Sequence, residues 1–130
     1  MRAYLDSVTV IYLVEQNPAF APAVESWLLA NPADLVSSEL VRMEALVLPI
    51  RNSDAGRIVD FERFFATQVV EMVPLTRAVF DRATNIRAAF PAFKTPDAIH
   101  LAAAVESGCQ TFLTNDAQLT RYLGIRVEVM

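Results

Sequence analysis

One cysteine, one histidine, one lysine and three glycines in 130 residues leave several chemistries without materials. Cys109, being alone, can form no intrachain disulfide, which fits a reducing compartment. It also lacks a partner that would make it a nucleophile, because the sole histidine, His100, falls in a different pattern; Cys109 reads as a small buried hydrophobe. Three glycines cannot build a phosphate-cradling glycine-rich loop. With no histidine–cysteine ligand set, zinc is disfavoured against a hard, oxygen-ligated cation. No apolar run approaches the ~18 residues that cross a bilayer. Asp6 interrupts the only stretch that resembles a secretory h-region, MRAYLDSVTVIYLVE, so a signal peptide is rejected and the cytoplasm is the expected location. There are no repeats, no low-complexity segments and no linker, so residues 1–130 read as one domain.

What the chain has in surplus is apolar surface. Hydrophobic residues make up 54% of it, above the ~45–50% of an average domain, and a protein–protein interface is the usual home for an excess. Fifteen acids outweigh eleven bases for a net charge of −4, a weak argument against nucleic acid. Setting four acids aside as metal ligands removes the imbalance. All the bases except Lys94 are arginine, which suits bidentate phosphate contacts and buried ion pairs alike.

Apolar runs and helical stripes alternate along the chain. Residues 2–5, 34–37, 69–73, 111–114 and 126–129 read as strands. Helical patterns fill 8–15, 20–30, 39–48, 54–67, 76–89, 95–107 and 116–123. Asn17-Pro18 and Asn31-Pro32 close helices, Pro49 stops the third, and Gly108 ends the sixth. Ser37 or Ser38 and Thr76 supply N-caps, and Thr95-Pro96 is a helix start. Nearly all-apolar strands alternating with helices specify a parallel sheet covered on both faces, an α/β/α sandwich.

In such sheets ligands bind beyond the carboxyl ends of the strands. Asp6 follows the first strand, Asp116 follows the fourth in Thr114-Asn115-Asp116, and Asp97 opens a helix returning to the same edge. Each also has a purely structural reading: a turn, a favourable first-turn charge or an N-cap. Glu44 is harder to explain that way. It falls within a stripe of Leu40, Met43, Val47 and Leu48, where a carboxylate needs an arginine or a metal. Converging carboxylates repel, and a hard divalent cation such as Mg²⁺ or Mn²⁺ relieves them. His100, in a helix apolar nearly all round, reads as a buried structural residue. The 54–67 stretch crowds Phe61, Phe64 and Phe65; either all three are core, or Phe64 or Phe65, with Trp27, lines a groove for a partner helix.

These residues resemble the PIN-domain nucleases of the VapC toxin type. The resemblance runs through Tyr4-Leu5-Asp6-Ser7, Glu44 after the second strand, Thr95-Pro96-Asp97-Ala98-Ile99-His100-Leu101-Ala102, and Phe112-Leu113-Thr114-Asn115-Asp116. It implies a parallel PIN-like sandwich, a Mg²⁺- or Mn²⁺-dependent endoribonuclease, a homodimer and a cognate antitoxin. By position it makes Asp6, Glu44, Asp97 and Asp116 the catalytic acids, with Asp6, Asp97 and Asp116 on the metal. Ser7 and Thr114 match supporting hydroxyls, Asn115 stands beside the last acid, and Val8 departs from the polar residue usual there. Other readings stay open: another metal-dependent phosphohydrolase, a receiver-type signalling domain, or a non-catalytic PIN-like module that binds RNA or protein. Val8 argues against the aspartate-nucleophile phosphatases, and the lack of paired acids near the first strand argues against a receiver.

Overall fold

The computed structural model describes residues 1–130. The chain runs β1 (Arg2–Leu5), α1 (Ser7–Val14), α2 (Ala21–Ala30), β2 (Asp34–Ser38), α3 (Glu39–Arg51), α4 (Ala55–Ala66), β3 (Val70–Val73), α5 (Arg77–Ala89), α6 (Thr95–Glu106), β4 (Thr111–Thr114), a 3₁₀ turn (Ala117–Arg121) and β5 (Arg126–Val129). All five strands pair in parallel, in the order β3-β2-β1-β4-β5, forming one sheet flanked by six helices. The chain first builds outward from β1 through β2 to β3, then returns to add β4 and β5 on the other side. The order therefore reverses between β1 and β4, and a crevice opens there at the carboxyl ends.

The strands at this reversal are the most deeply buried. Ala3, Tyr4 and Leu5 of β1, and Phe112 and Leu113 of β4, are fully shielded, which is why both strands read as unbroken apolar runs. The Tyr4 and Phe112 rings stack, 5.4 Å apart, across the two strands. Edge strand β5 is mostly open. Thr76 caps α5 through its hydroxyl, and Gly108 leaves α6 at φ +77°, a left-handed conformation that favours glycine.

Helix α3 departs from the sequence expectation in three ways. It continues through Pro49 to Arg51. The proline lies in the last turn, where little helix remains to be broken, and its ring is buried. Its buried face is Val41, Ala45, Leu46 and Pro49, whereas Met43, Val47 and Leu48 are exposed and Leu40 is only half-buried. Because α3 is apolar almost all round, periodicity alone could not choose between the two stripes. Finally, Ser38 stands at the N-cap without bonding the helix, since its hydroxyl is engaged with Tyr4.

Candidate functional site

Asp6 is the residue at which β1 becomes α1. Its amide donates to the Leu113 carbonyl at the end of β4 (3.2 Å), and its carboxylate caps α1 by accepting from the Thr9 amide (3.0 Å). Thr9, fully buried, donates its hydroxyl to the same Leu113 carbonyl (3.1 Å). Two bonds therefore lock the start of α1 onto the end of β4 and bring Asp6 to the Thr114–Asp116 segment. Thr114 is buried between them. Its hydroxyl accepts from the Asp116 amide (3.1 Å) and lies near enough to the Asp6 carboxyl to oppose the upward push of burial on it. Asp116 caps the 3₁₀ turn by accepting from the Gln118 amide (3.0 Å), so its cap role is real as well. The Thr9 anchor was not singled out in the sequence, although an aspartate with threonine three residues on is a readable capping pattern.

Asp97, in the first turn of α6, shares a cleft of about 240 Å³ with Asp116, Lys94, Gln118 and Leu119. Burial and then the charge of Asp116 hold the Asp97 carboxyl above the ordinary carboxylate range, with further contributions from Asp6 and Glu44. Burial likewise raises Asp6, against hydrogen bonds from Thr114 and Thr9. The other three acids thus lie within electrostatic reach of Asp97. The structure also places Lys94, the only lysine, on the rim of this cleft, where sequence reasoning had not put it.

Glu44 satisfies itself with neither an arginine nor a neighbouring acid. Its carboxylate meets His100 Nε2 at 2.5 Å, Nδ1 of that ring meets the Tyr4 hydroxyl at 2.8 Å, and the same hydroxyl meets Ser38 Oγ at 2.8 Å. The polarity of this chain follows from what each group can do. A carboxylate only accepts, so Nε2 donates. In a neutral ring Nδ1 must then accept, Tyr4 donates to it, and Ser38 donates to Tyr4. Four elements, β2, β1, α6 and α3, are tied in one line that ends on Glu44. His100 is buried as expected, but its tie to Glu44 was not legible, because the two residues lie 56 positions apart in the chain.

Ser7 begins α1 half-buried and Asn115 is exposed, its side-chain amide donating to the Tyr12 hydroxyl. Of the aromatic residues, Phe65 is buried with Phe61, whereas Phe64 is half-exposed and meets Phe65 edge-on at 5.2 Å. Phe64 lines a shallow recess with Val14, Asp60, Arg63 and Thr67. Trp27 is half-buried on α2 and packs on the core. No three of the acids stand close enough together to enclose one ion by themselves. Their chemistry still fits one: they are an all-oxygen set, the donor type of Mg²⁺, which keeps part of its water shell and binds through one or two carboxylates.

A five-stranded parallel sheet with acids at its switch point defines a class, and a match in sequence gives the family. It matches the PIN domain over residues 3–124, and the chain belongs to that family. No curated protein matches it in sequence. Several solved structures share its fold. DNA-bound VapBC from Salmonella typhimurium superposes with TM-score 0.79 at 19% identity, covering 99% of this chain and 98% of that one. VapBC2 from Rickettsia felis, bound to a promoter DNA fragment, gives 0.78 at 16% over 99% and 98%. VapC20 from Mycobacterium tuberculosis, a sarcin–ricin-loop-cleaving toxin, gives 0.75 at 16% over 95% and 98%.

Proposed function

We propose that this chain is a divalent-metal-dependent endoribonuclease and the toxin of a toxin–antitoxin pair. The observation that carries the reading is the cleft shared by Asp97 and Asp116 at the carboxyl end of the sheet, where burial and the charges of Asp116, Asp6 and Glu44 raise the Asp97 carboxyl. VapBC complexes and an RNA-cleaving VapC among proteins of the same fold support it. Asp6, Asp97 and Asp116 would hold Mg²⁺ or Mn²⁺, in part through the waters the ion keeps; when bound it lowers the pKa of water and neutralises charge on the phosphate. Ser7 and Thr114 support the acids, and Thr114 fixes Asp6 against Asp116. Glu44, aimed by His100, completes the acidic set. Lys94 offers the rim of the cleft a cation for the RNA backbone. Asn115 belongs to the substrate side of the site.

The only histidine is bonded to Glu44 and Tyr4, so no histidine pair exists to drive attack by the RNA's own 2′-hydroxyl. Water attack, leaving 5′-phosphate and 3′-hydroxyl ends, is the mechanism that follows. The chain carries no helix long and apolar enough to cross a membrane, and the reading places it in the cytoplasm. Met43, Val47, Leu48 and Ile50 leave an exposed apolar face on α3, which suits a homodimer. The Phe64 recess, backed by Phe65 and with Trp27 on α2, suits an antitoxin helix. The test is cleavage of a structured RNA with Mg²⁺, with and without chelator, by the parent and by Asp97→Asn, with end groups identified. Cleavage that stops in chelator and in the variant supports the reading. Full activity in excess chelator refutes it, and 2′,3′-cyclic phosphate ends refute the mechanism.

A further inference from the structure

Two aromatic rings flanking the turn between α1 and α2 have no use in the chemistry above. Tyr12 on α1 and Phe20 before α2 stack nearly face to face, with centroids 4.6 Å apart and planes 12° from parallel. Phe20 is 38% exposed, although most phenylalanines of this chain are wholly or partly buried. The pair is held in place. Asn17 Oδ1 accepts from the amides of Ala19 (2.9 Å) and Phe20 (3.1 Å), fixing the turn that presents Phe20. The Tyr12 hydroxyl accepts from Asn115 Nδ2 at 2.7 Å, and Asn115 is the residue before Asp116. A bond thus joins the aromatic pair directly to the segment carrying one acid. Helix α1, which carries Tyr12, begins at Asp6, and its rise over that interval is about 9 Å. The rings therefore lie within a few nucleotides of the acids on any single strand crossing the site.

We propose that Tyr12 and Phe20 form a stacking platform for an unpaired nucleobase next to the scissile phosphate, with Asn115 fixing its orientation. This rests on the RNA-cleavage reading and adds to it a requirement for a splayed-out base. The occupant follows from size and setting. Gln16, Pro18 and Ala19 around Phe20 are exposed and small or polar, so the apolar spot is about one ring across. That is far less than the ~800 Å² each partner buries in a stable protein interface, but it matches a base, whose π-face stacks on any aromatic ring. Single-stranded and looped RNA is recognised in this way, with bases unstacked onto aromatic side chains.

The test uses the full chain carrying Asp97→Asn, with Mg²⁺ and fluorescein-labelled RNA octamers, intact by gel, measured by anisotropy. One octamer carries bases throughout, and a second has abasic sites across its centre. Phe20→Leu, which keeps apolar volume without a π-face, should bind the base-containing octamer at least about 5-fold more weakly, the lower end for loss of one stacked base. It should bind the abasic octamer as the parent does. Phe20→Trp should restore or exceed parental affinity. Tyr12→Phe, which keeps the ring but removes the Asn115 bond, should lose less than Phe20→Leu. Equal weakening on both octamers, or none on either, overturns the platform while leaving RNA binding standing. Failure of the Asp97→Asn parent to bind either octamer overturns the RNA reading together with the platform. Unchanged RNA binding with loss of a co-expressed antitoxin assigns the pair to that protein and overturns the proposal.

Discussion

Replacing His100 tests the line of hydrogen bonds that ends on Glu44. In His100→Leu, the Tyr4 hydroxyl, fully buried, keeps only Ser38, and Glu44 loses its one recorded partner. A neutral buried hydrogen bond contributes about 1 kcal/mol and one to a charged group about 1.5–3 kcal/mol. Glu44 keeps 29% of its side-chain surface exposed, so water recovers part of its loss. The expected cost is about 2–4 kcal/mol. For a chain of 130 residues the unfolding entropy converts each kcal/mol into about 4 °C, so Tm should fall by about 8–15 °C. Two further variants separate the halves of the ring. His100→Gln places a donor near Nε2, keeping Glu44's partner while releasing Tyr4. His100→Asn places a group near Nδ1, keeping Tyr4 and releasing Glu44. If the line serves to aim Glu44, the Gln variant keeps most of the parental kcat, and the Asn variant loses it with KM little changed. Tyr4→Phe and His100→Leu should also couple by about 1 kcal/mol in a double-mutant cycle of urea unfolding, because both break one bond. Additive losses, or equal cleavage by the Gln and Asn variants, would refute the argument.

Metal-free stability should carry the signature of the crowded acids. Burial and Asp116 raise Asp97, so the native state holds a proton that the unfolded chain has released; stability is fullest below the unfolded carboxylate pKa of about 3.9 and falls as pH rises through the raised value. The urea midpoint of Asp97→Asn should therefore gain on the parent as pH rises above about 4, and Mg²⁺ should lift the parent alone; a midpoint difference independent of pH counts against the assignment. Phe64→Ala should weaken capture of a co-expressed antitoxin more than it lowers Tm, since Phe64 is only half-buried in its recess; equal loss of both would make it core.

What the sequence made legible divides along a physical line. Local periodicity and punctuation located every strand and helix to within a few residues, because each signal lies within the element it specifies. Asp6 and Asp116 were readable for the same reason: a strand end can be seen from the residues that precede it. Helix α3 shows where this stops. Its sequence offers apolar residues on every side, so the face that packs depends on partners far away in the chain. The structure buries small Ala45 and leaves Met43 and Leu48 outside. Glu44 was therefore noticed for a mistaken reason, as a charge inside a core stripe. It lies instead at the border between α3 and α6 and meets a histidine more than fifty residues away, a pairing that no window of sequence contains.

That pairing changes how the acidic cluster is to be understood. Four carboxylates brought to one edge would repel, turn toward water and lose any shared geometry unless each were separately restrained. Asp6 is restrained by the Thr9 amide and Thr114, and Asp116 by the Gln118 amide. Glu44, on a helix with no cap to hold it, is restrained by His100, which Tyr4 orients in turn. Asp97 alone has no recorded hydrogen bond from the protein, and its carboxyl is raised by burial, by Asp116 and by the charges of Asp6 and Glu44. The strain of the cluster is thus concentrated on the least tethered acid. A cation entering the site gains most by neutralising Asp97, and removing that carboxylate should cost more metal affinity than removing Asp116. Isothermal titration of Mg²⁺ or Mn²⁺ into Asp97→Asn and Asp116→Asn decides it: a weaker site in Asp116→Asn than in Asp97→Asn would mean that hydrogen-bonded anchoring, rather than uncompensated charge, determines where the ion is held.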